Sequence, residues 1–209
     1  MADAFENRGT LNRGGGSSSI PMIVNDDGSQ VQSPRYQYLA SRGLVFGAHR
    51  AAVTLPTNAA TLASLFGLYN PPSSGKMVEL IDVEAHYVVA TTVVTALGVY
   101  YSNGSNATGA TFTTELRSAI ESGRLGEGQT SVCRFYSAVT HVGTPALAGI
   151  VGGWGAVTDS GATPIRKEFN GSLQFPPGTL VALAMTTAAA TTSGVTLGMR
   201  WAEVPYAEM

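Results

Sequence analysis

Three ionisable side chains stand at alternate positions of one predicted strand, and they are the first place where this chain could do chemistry. Asp82, Glu84 and His86 lie within residues 76–90, where apolar residues alternate with polar ones as on a half-buried strand. Alternate side chains of a strand share a face and lie about 7 Å apart. Two carboxylates and an imidazole at that spacing could ligate a metal ion.

A metal site on that face would need further ligands from another strand, and neither His49 nor His141 can be placed there from the sequence. We therefore expect a salt-bridged or partner-facing polar strip. The Gly-rich run from Gly149 to Gly155 superficially resembles a phosphate loop, but it lacks the Gly-Lys-Ser/Thr ending and no helix pattern follows it. We expect no enzyme, no catalytic residue, no metal and no cofactor.

The cysteine and the aromatic residues have structural interpretations. The lone Cys133 falls on the strand face of Phe135, which predicts a small buried hydrophobic residue and not a nucleophile. Exposed aromatic rings could instead form a sugar-stacking platform, although aromatic residues in strands are more often core or subunit contacts. The aromatic residues considered for such a platform are Trp154, Trp201, Tyr36, Tyr38, Tyr69, Tyr100 and Tyr101.

The composition limits the class of partner. Charged residues make up 12% of the 209 residues, about half the usual share. A surface so poor in charge favours partial coverage by a partner, with compositional drift as the alternative. A net charge of −2 argues against nucleic acid, and no apolar run approaches the roughly 18 residues of a membrane helix. Asp3 and Glu6 stand where a signal peptide would be basic and then apolar, so we expect synthesis in the cytoplasm.

The elements that must position these residues are strands. Patterns of period two, bounded by Gly and Pro turns, predict an all-β body, with a weak helical or irregular patch at 114–123. The chain is expected to end in a β-hairpin, residues 180–186 paired with 195–202. A series of short strands with little helix predicts a jelly-roll-like β-sandwich. The further segments predicted as strands are 44–55, 62–69, 76–90, 95–101 and 129–141, and 147–157 is ambiguous between strand and loop.

Residues 1–43 are predicted to be an extended N-terminal arm before a body of residues 44–209. This segment is rich in Gly and Ser and has few apolar anchors, a composition that cannot bury enough surface to fold alone. An arm becomes ordered only by lying against its own body or a partner. The residues expected to make its contacts are Phe5, Arg8, Leu11, Arg13, Ile20, Met22 and Ile23.

Two short motifs carry a resemblance to a known family. The turn Asn70-Pro71-Pro72-Ser73-Ser74-Gly75-Lys76 into a long strand, and the ending from Phe175-Pro176-Pro177-Gly178-Thr179 through Trp201-Ala202-Glu203-Val204-Pro205, resemble those of jelly-roll structural proteins of tailed bacteriophages. The nearest type is the capsid cement, or decoration, protein. The resemblance spans about residues 56–205 and does not cover the arm.

The resemblance implies a virion protein on the capsid exterior. Its partners would be the major capsid protein and two further copies of itself, because such proteins resemble trimeric knobs that clamp capsid subunits together. The alternative is a receptor- or carbohydrate-binding jelly roll of a phage tail or spike, which would use exposed aromatics and loops such as residues 102–109 and 188–194.

Overall fold

The computed structural model is an all-β sandwich. It describes residues 23–24, 30–31, 35–54, 63–64, 66–87, 95–108, 110–112, 115, 120–122, 130–154, 164–186 and 194–205. The strands are β1 (Ile23–Val24), β2 (Gln30–Val31), β3 (Val45–Thr54), β4 (Ala63–Ser64), β5 (Phe66–Asn70), β6 (Lys76–Tyr87), β7 (Thr95–Asn103), β8 (Thr111–Phe112), β9 (Ile120–Ser122), β10 (Arg134–Tyr136), β11 (Val139–Thr140), β12 (Ala146–Trp154), β13 (Pro164–Phe175), β14 (Thr179–Met185) and β15 (Gly194–Pro205). The helices are α1 (Arg35–Ser41) and the short α2 (Gly104–Thr108).

Two five-stranded sheets form the sandwich, and every strand pair in them is antiparallel. Sheet 1 has the order β13-β6-β15-β3-β9, and sheet 2 has the order β10-β5-β14-β7-β12. Their facing sides bury one core around Phe66, Leu80, Leu183, Met199 and Trp201. Alternation along each strand sends these large apolar side chains inward.

Both sheets carry further cover on their outer faces. The covering sheet β4-β11-β8 and helix α2 pack on sheet 2, where Ala107, Val139 and Leu180 share a second apolar cluster. Helix α1 packs on sheet 1, where Leu39 meets Ile81 in a third cluster. These layers leave only part of each outer face open.

The predicted closing hairpin is wrong, although both of its strands exist. β14 pairs with β5 and β7 in sheet 2, whereas β15 pairs with β3 and β6 in sheet 1. The two strands therefore lie in opposite sheets and face each other across the core. The physical reason is burial: every residue of β14 is buried, because Leu183 packs across the core against the sheet of β15 and Leu180 packs under the covering sheet on the other face.

Strand β13 is not predicted by the sequence pattern, although its exposure alternates with a period of two. Its pairing with β6 shifts between Glu168 and Leu173, where Asn170 and Gly171 have φ angles of 48° and 75°. Lys167 and Gly171 interrupt the apolar residues of the inward face, and Asn170-Gly171 resembles a hairpin turn, so the pattern indicates a turn where the strand continues.

Two smaller expectations also fail. The patch predicted as helical or irregular, residues 114–123, contains the strand β9, which pairs with β3 at Phe46, Gly47 and Ala48. Alternation along residues 76–90 predicts that Ile81 shares a face with Val83, but a register shift opposite Arg200 and Trp201 turns Ile81 toward helix α1. The predicted strands 44–55, 76–90 and 95–101 and the ambiguous segment 147–157 are found as β3, β6, β7 and β12. The predicted strands 62–69 and 129–141 are each divided into two short strands, one in sheet 2 and one in the covering sheet β4-β11-β8.

Candidate interaction surfaces

Asp82 is the centre of an ionic cluster on the outer face of sheet 1. Its carboxylate is held from both neighbouring strands, by Arg166 of β13 and Arg200 of β15. Arg166 donates from Nε and Nη2 to Oδ2 over 3.1 and 2.6 Å. Arg200 donates from Nε to Oδ1 over 2.9 Å and from Nη2 to Oδ2. The aspartate is buried although both arginines are about half exposed.

This cluster keeps Asp82 ionised and engages both of its carboxylate oxygens in hydrogen bonds. Burial by itself raises the pKa of the carboxyl group, but the hydrogen bonds and charges of Arg200 and Arg166 outweigh burial and hold the pKa below its ordinary value. The bond to Asp82 also raises the pKa of Arg200. The salt-bridged interpretation of this strand face is therefore confirmed for Asp82.

Glu84 and His86, the other two members of the predicted strip, do not join Asp82. Glu84 faces His49 of β3, with 3.5 Å between Oε1 and Nδ1, and the two side chains meet over Gly198. A Cβ at Gly198 would stand 2.8 Å from both Glu84 and His49, so the glycine makes the contact possible. His86 is exposed. Among the described residues, no three His, Cys, Asp or Glu side chains come together as metal ligands would.

A buried Ser–His pair joins β7 of sheet 2 to the residue after β11, and no sequence motif marks it. Ser102 Oγ and His141 Nδ1 are 2.9 Å apart, and both residues are buried, at 6% and 3% exposure. Burial lowers the pKa of His141, which favours the neutral imidazole. A nucleophile must be reachable by its substrate, so this pair is best explained as a hydrogen bond that fixes β11 on β7.

Cys133 is buried in the core beside Phe135, which confirms its interpretation as a small hydrophobic residue. Burial raises the pKa of its thiol well above the ordinary value, and the nearby carboxylate of Glu203 adds to this effect. Glu203 accepts hydrogen bonds from Trp201 Nε1 at 3.1 Å, the Val132 amide at 3.0 Å and the Ser131 hydroxyl. This carboxylate ties the segment before β10 to the last strand.

The structure disperses the aromatic residues considered as a sugar platform. Trp201 is fully buried and stacks on Phe46. Tyr69 packs against Phe112 of the covering sheet, and Tyr36 and Tyr38 belong to α1 and pack against the third cluster on sheet 1. The side chain of Trp154 lies outside the described part of the chain. These rings do not form one exposed surface.

Helix α1 fixes the point at which the N-terminal segment meets the sandwich. Arg35, its first residue, pairs with the buried carboxylate of Glu79 over 2.5 Å. Leu39 is buried beside Ile81. The helix lies within the segment that sequence analysis assigned to the arm, and it borders a groove of about 430 Å3 on sheet 1. The groove is lined by Tyr36, Gln37, Ala40, Val45, Phe46, Gly47, His49, Ile81, Ser122 and Arg200.

Most of the contacts predicted for the arm fall outside the described residues, namely Phe5, Arg8, Leu11, Arg13, Ile20 and Met22. The seventh, Ile23, lies in β1 and pairs with Val31 of β2.

The two resemblance motifs meet at one end of the sandwich. Asn70, fully buried, donates from its side-chain amide to the carbonyl oxygens of Lys76 and Phe175 over 2.9 and 3.2 Å. The Gly178 amide donates to the Asn70 carbonyl over 2.8 Å. Gly75 and Gly178 adopt positive φ angles of 62° and 80°, which side chains rarely tolerate. The motif residues thus close two turns and join them.

Strand β12, at the edge of sheet 2, exposes large hydrophobic side chains. The large hydrophobic side chains exposed in the described chain are Val142, Leu147 and Ile150, at 46, 49 and 45%, and the last two lie on β12. Leu147 pairs with Tyr100, and Ile150 pairs with Gly98. A Cβ on Gly98 would stand 2.8 Å from both Leu147 and Tyr100, so these side chains lean over the glycine. We call Tyr100, Leu147 and Ile150 the apolar strip.

Comparison of the chain with protein-family models, with curated proteins and with solved structures found no match in any of the three. In the described part of the chain, neither helix has the length and apolar character to cross a bilayer.

Proposed function

We propose that this chain is a viral structural protein: a capsid cement, or decoration, protein of a tailed bacteriophage that forms a trimer on the outside of the head and clamps major capsid subunits. The observation that carries the proposal is the attachment of the N-terminal segment to the body through α1. A clamp must pass force from its arm to its body, and the Arg35–Glu79 pair joins α1 to β6, an interior strand of sheet 1.

The strand order supports the jelly-roll part of the proposal. The long strands from β3 to β7 alternate between the sheets, β12 stays in sheet 2, and β13 to β15 alternate again. Leaving out β9 and β10, this gives two four-stranded sheets, the arrangement of double-sheet jelly rolls used in viral capsids. Fold likeness alone does not fix function, so the proposal also rests on the motif resemblance and on the arm.

The arm would act by extending from the body onto a neighbouring subunit. A segment with Gly14-Gly15-Gly16 and scattered apolar and basic residues can lie in grooves of a neighbour or add a strand to it. Phe5, Leu11, Ile20, Met22 and Ile23 would supply apolar anchors, with Arg8 and Arg13 as ion-pair partners. Many copies on one shell would multiply individually weak contacts.

Deletion of residues 2–19 tests the arm. The probe is a capsid assembled from the major capsid protein of the virus that encodes the chain, without the decoration protein. We expect the full chain to sediment with these capsids and the truncated chain to stay soluble, folded by circular dichroism, and unbound. Equal affinity of both chains would refute the arm's role, and failure of the full chain to bind would refute the cement function.

A cleft between the sheets favours a second candidate function, carbohydrate binding on a tail or spike. It encloses about 410 Å3 and is lined by Tyr101, Asn103, Leu147, Ala148, Ser172, Leu173, Gln174, Phe175, Pro176 and Thr179. The buried Thr179 hydroxyl has no hydrogen-bond partner among the described residues. Aromatic edges beside uncharged polar groups suit a neutral sugar. Binding in a glycan screen that is lost in Thr179→Val would favour this function over cement.

A further inference from the structure

We infer that the apolar strip and the free edge of β12 form the surface through which copies of this chain contact one another. Around a three-fold axis, the strip of each copy would meet the strips of the other two. The inference rests on the trimer in the proposed function, and it does not depend on the capsid as partner.

The two edge strands that lie side by side differ in how their edges are protected. A free strand edge invites pairing with another chain, and proteins usually protect it with charged residues, proline or β-bulges. β13, at the edge of sheet 1, begins with Pro164 and carries Arg166, Lys167 and Glu168. β12, at the edge of sheet 2, has the sequence Ala-Leu-Ala-Gly-Ile-Val-Gly-Gly-Trp, with neither charge nor proline. Two register shifts interrupt the pairing of β12 with β7, but β12 lacks the charged residues and the proline that protect β13.

Strand β12 divides its apolar side chains between two faces. A Cβ at Gly149 would stand 3.1 Å from Phe169, and one at Gly152 would stand 3.2 Å from Ile165, so these two inward glycines let β13 close over the strand. Val151 is buried in the core. Leu147 and Ile150 are larger but lie on the outward face, 49 and 45% exposed, so the core of the chain itself does not account for them.

The occupant follows from the chemistry of the strip. A surface without charge can be buried against a copy of itself with no unpaired ion, and close-packed apolar contact is typical of homo-oligomer interfaces. A partner with ordinary surface charge would lose solvation there without gaining an ion pair, so a second copy fits best.

Chemical cross-linking tests the contact directly. The chain has one cysteine, Cys133, which is buried, so Ile150→Cys adds a single accessible thiol. Residues close to a three-fold axis are close to each other, and a short bis-maleimide should therefore give covalent dimers of Ile150→Cys in the folded protein. Lys167→Cys, exposed on β13, is the matched control and should remain monomeric on a denaturing gel.

Light scattering of charge variants gives the second readout. We expect a trimer for the wild type and for His86→Glu, an exposed control on sheet 1. Leu147→Glu/Ile150→Glu should be a folded monomer at the same concentration, with association weakened roughly a hundred-fold or more because a charge would be buried unpaired.

A monomeric wild-type protein, a trimeric double variant, or cross-linking of Lys167→Cys in place of Ile150→Cys would each overturn the inference. A trimer with these properties that ignored capsids would leave the inference standing and would refute only the cement function.

Discussion

The outer faces of the two sheets are finished in different ways. On sheet 1, charged side chains pair with one another within the chain: Asp82 is held by Arg166 and Arg200, and Glu84 meets His49. Sheet 2 is covered over one part by the covering sheet and α2, and over another it exposes apolar side chains of β12. A sheet face whose charged side chains pair with one another needs no partner. An apolar sheet face is covered by another layer of the same chain or by another molecule.

The largest expected effect comes from the covered part of sheet 2. Leu180 is fully buried between β14 and the covering layer, so Leu180→Ala should lower the free energy of unfolding by about 3 kcal/mol. Urea unfolding measures this loss. A cost below about 1 kcal/mol would show that the covering layer is not packed as a true second core.

The next effect breaks the ionic cluster of sheet 1. Asp82→Asn removes the charge that both arginines share, and we expect a loss of about 2 kcal/mol at neutral pH, since half-exposed arginines retain part of their hydration. Because the pKa of Asp82 is depressed on folding, its contribution is full above the ordinary carboxyl pKa and is lost as pH falls through the folded-state pKa.

The pH dependence separates this cluster from simple packing. In urea unfolding, the difference between wild type and Asp82→Asn should be constant near neutrality and should shrink as pH falls below about 4. A difference that stayed constant to pH 2 would contradict the assigned ion pairs.

A smaller effect tests the glycine that brings Glu84 and His49 together. Gly198→Ala places a methyl group 2.8 Å from both side chains, and we expect a loss of about 1 kcal/mol because these flexible groups must move apart. Gly47→Ala is the matched control, since its Cβ would stand 3.4 Å from Arg200. Thermal unfolding measures the stability lost in each variant. A larger loss for Gly47→Ala than for Gly198→Ala would contradict this geometry.

The smallest expected effect lies at the exposed side of the ionic cluster around Asp82. Glu168 contacts Arg166 at 3.3 Å, but its side chain is 56% exposed. Solvent weakens such pairs, so Glu168→Gln should change the free energy of unfolding by less than about 0.5 kcal/mol. A loss as large as that of Asp82→Asn would mean that Arg166 depends on Glu168 for its position.

The sequence allowed most of the strands to be predicted but little of their pairing. The period of two in Val181, Leu183 and Met185 shows which side chains share a face, and it says nothing of which strand lies beside them. Nearness in sequence suggested a hairpin, whereas β14 pairs with β5 and β7 in the sheet opposite β15. Strand β13 was missed because Asn170-Gly171 resembles a hairpin turn and because Lys167 interrupts the apolar residues of its inward face.

The candidate surfaces were predictable only in part. Asp82, Glu84 and His86 were identified as a polar strip, but the partners of Asp82 are 84 and 118 residues away and have no spacing signal. The low share of charged residues indicated a covered surface without locating it. Placing it on β12 required the sheet order, because only an edge strand exposes both its side chains and its backbone.

Hydrogen exchange tests the contrast between the two edge strands most directly. Outward amides of a free edge exchange quickly unless another molecule covers them. In the concentrated wild-type protein, we expect the amides of β12 peptides to exchange much more slowly than those of β13 peptides. Dilution, or the Leu147→Glu/Ile150→Glu double substitution, should remove this protection. Equally fast exchange of both strands at every concentration would contradict this expectation.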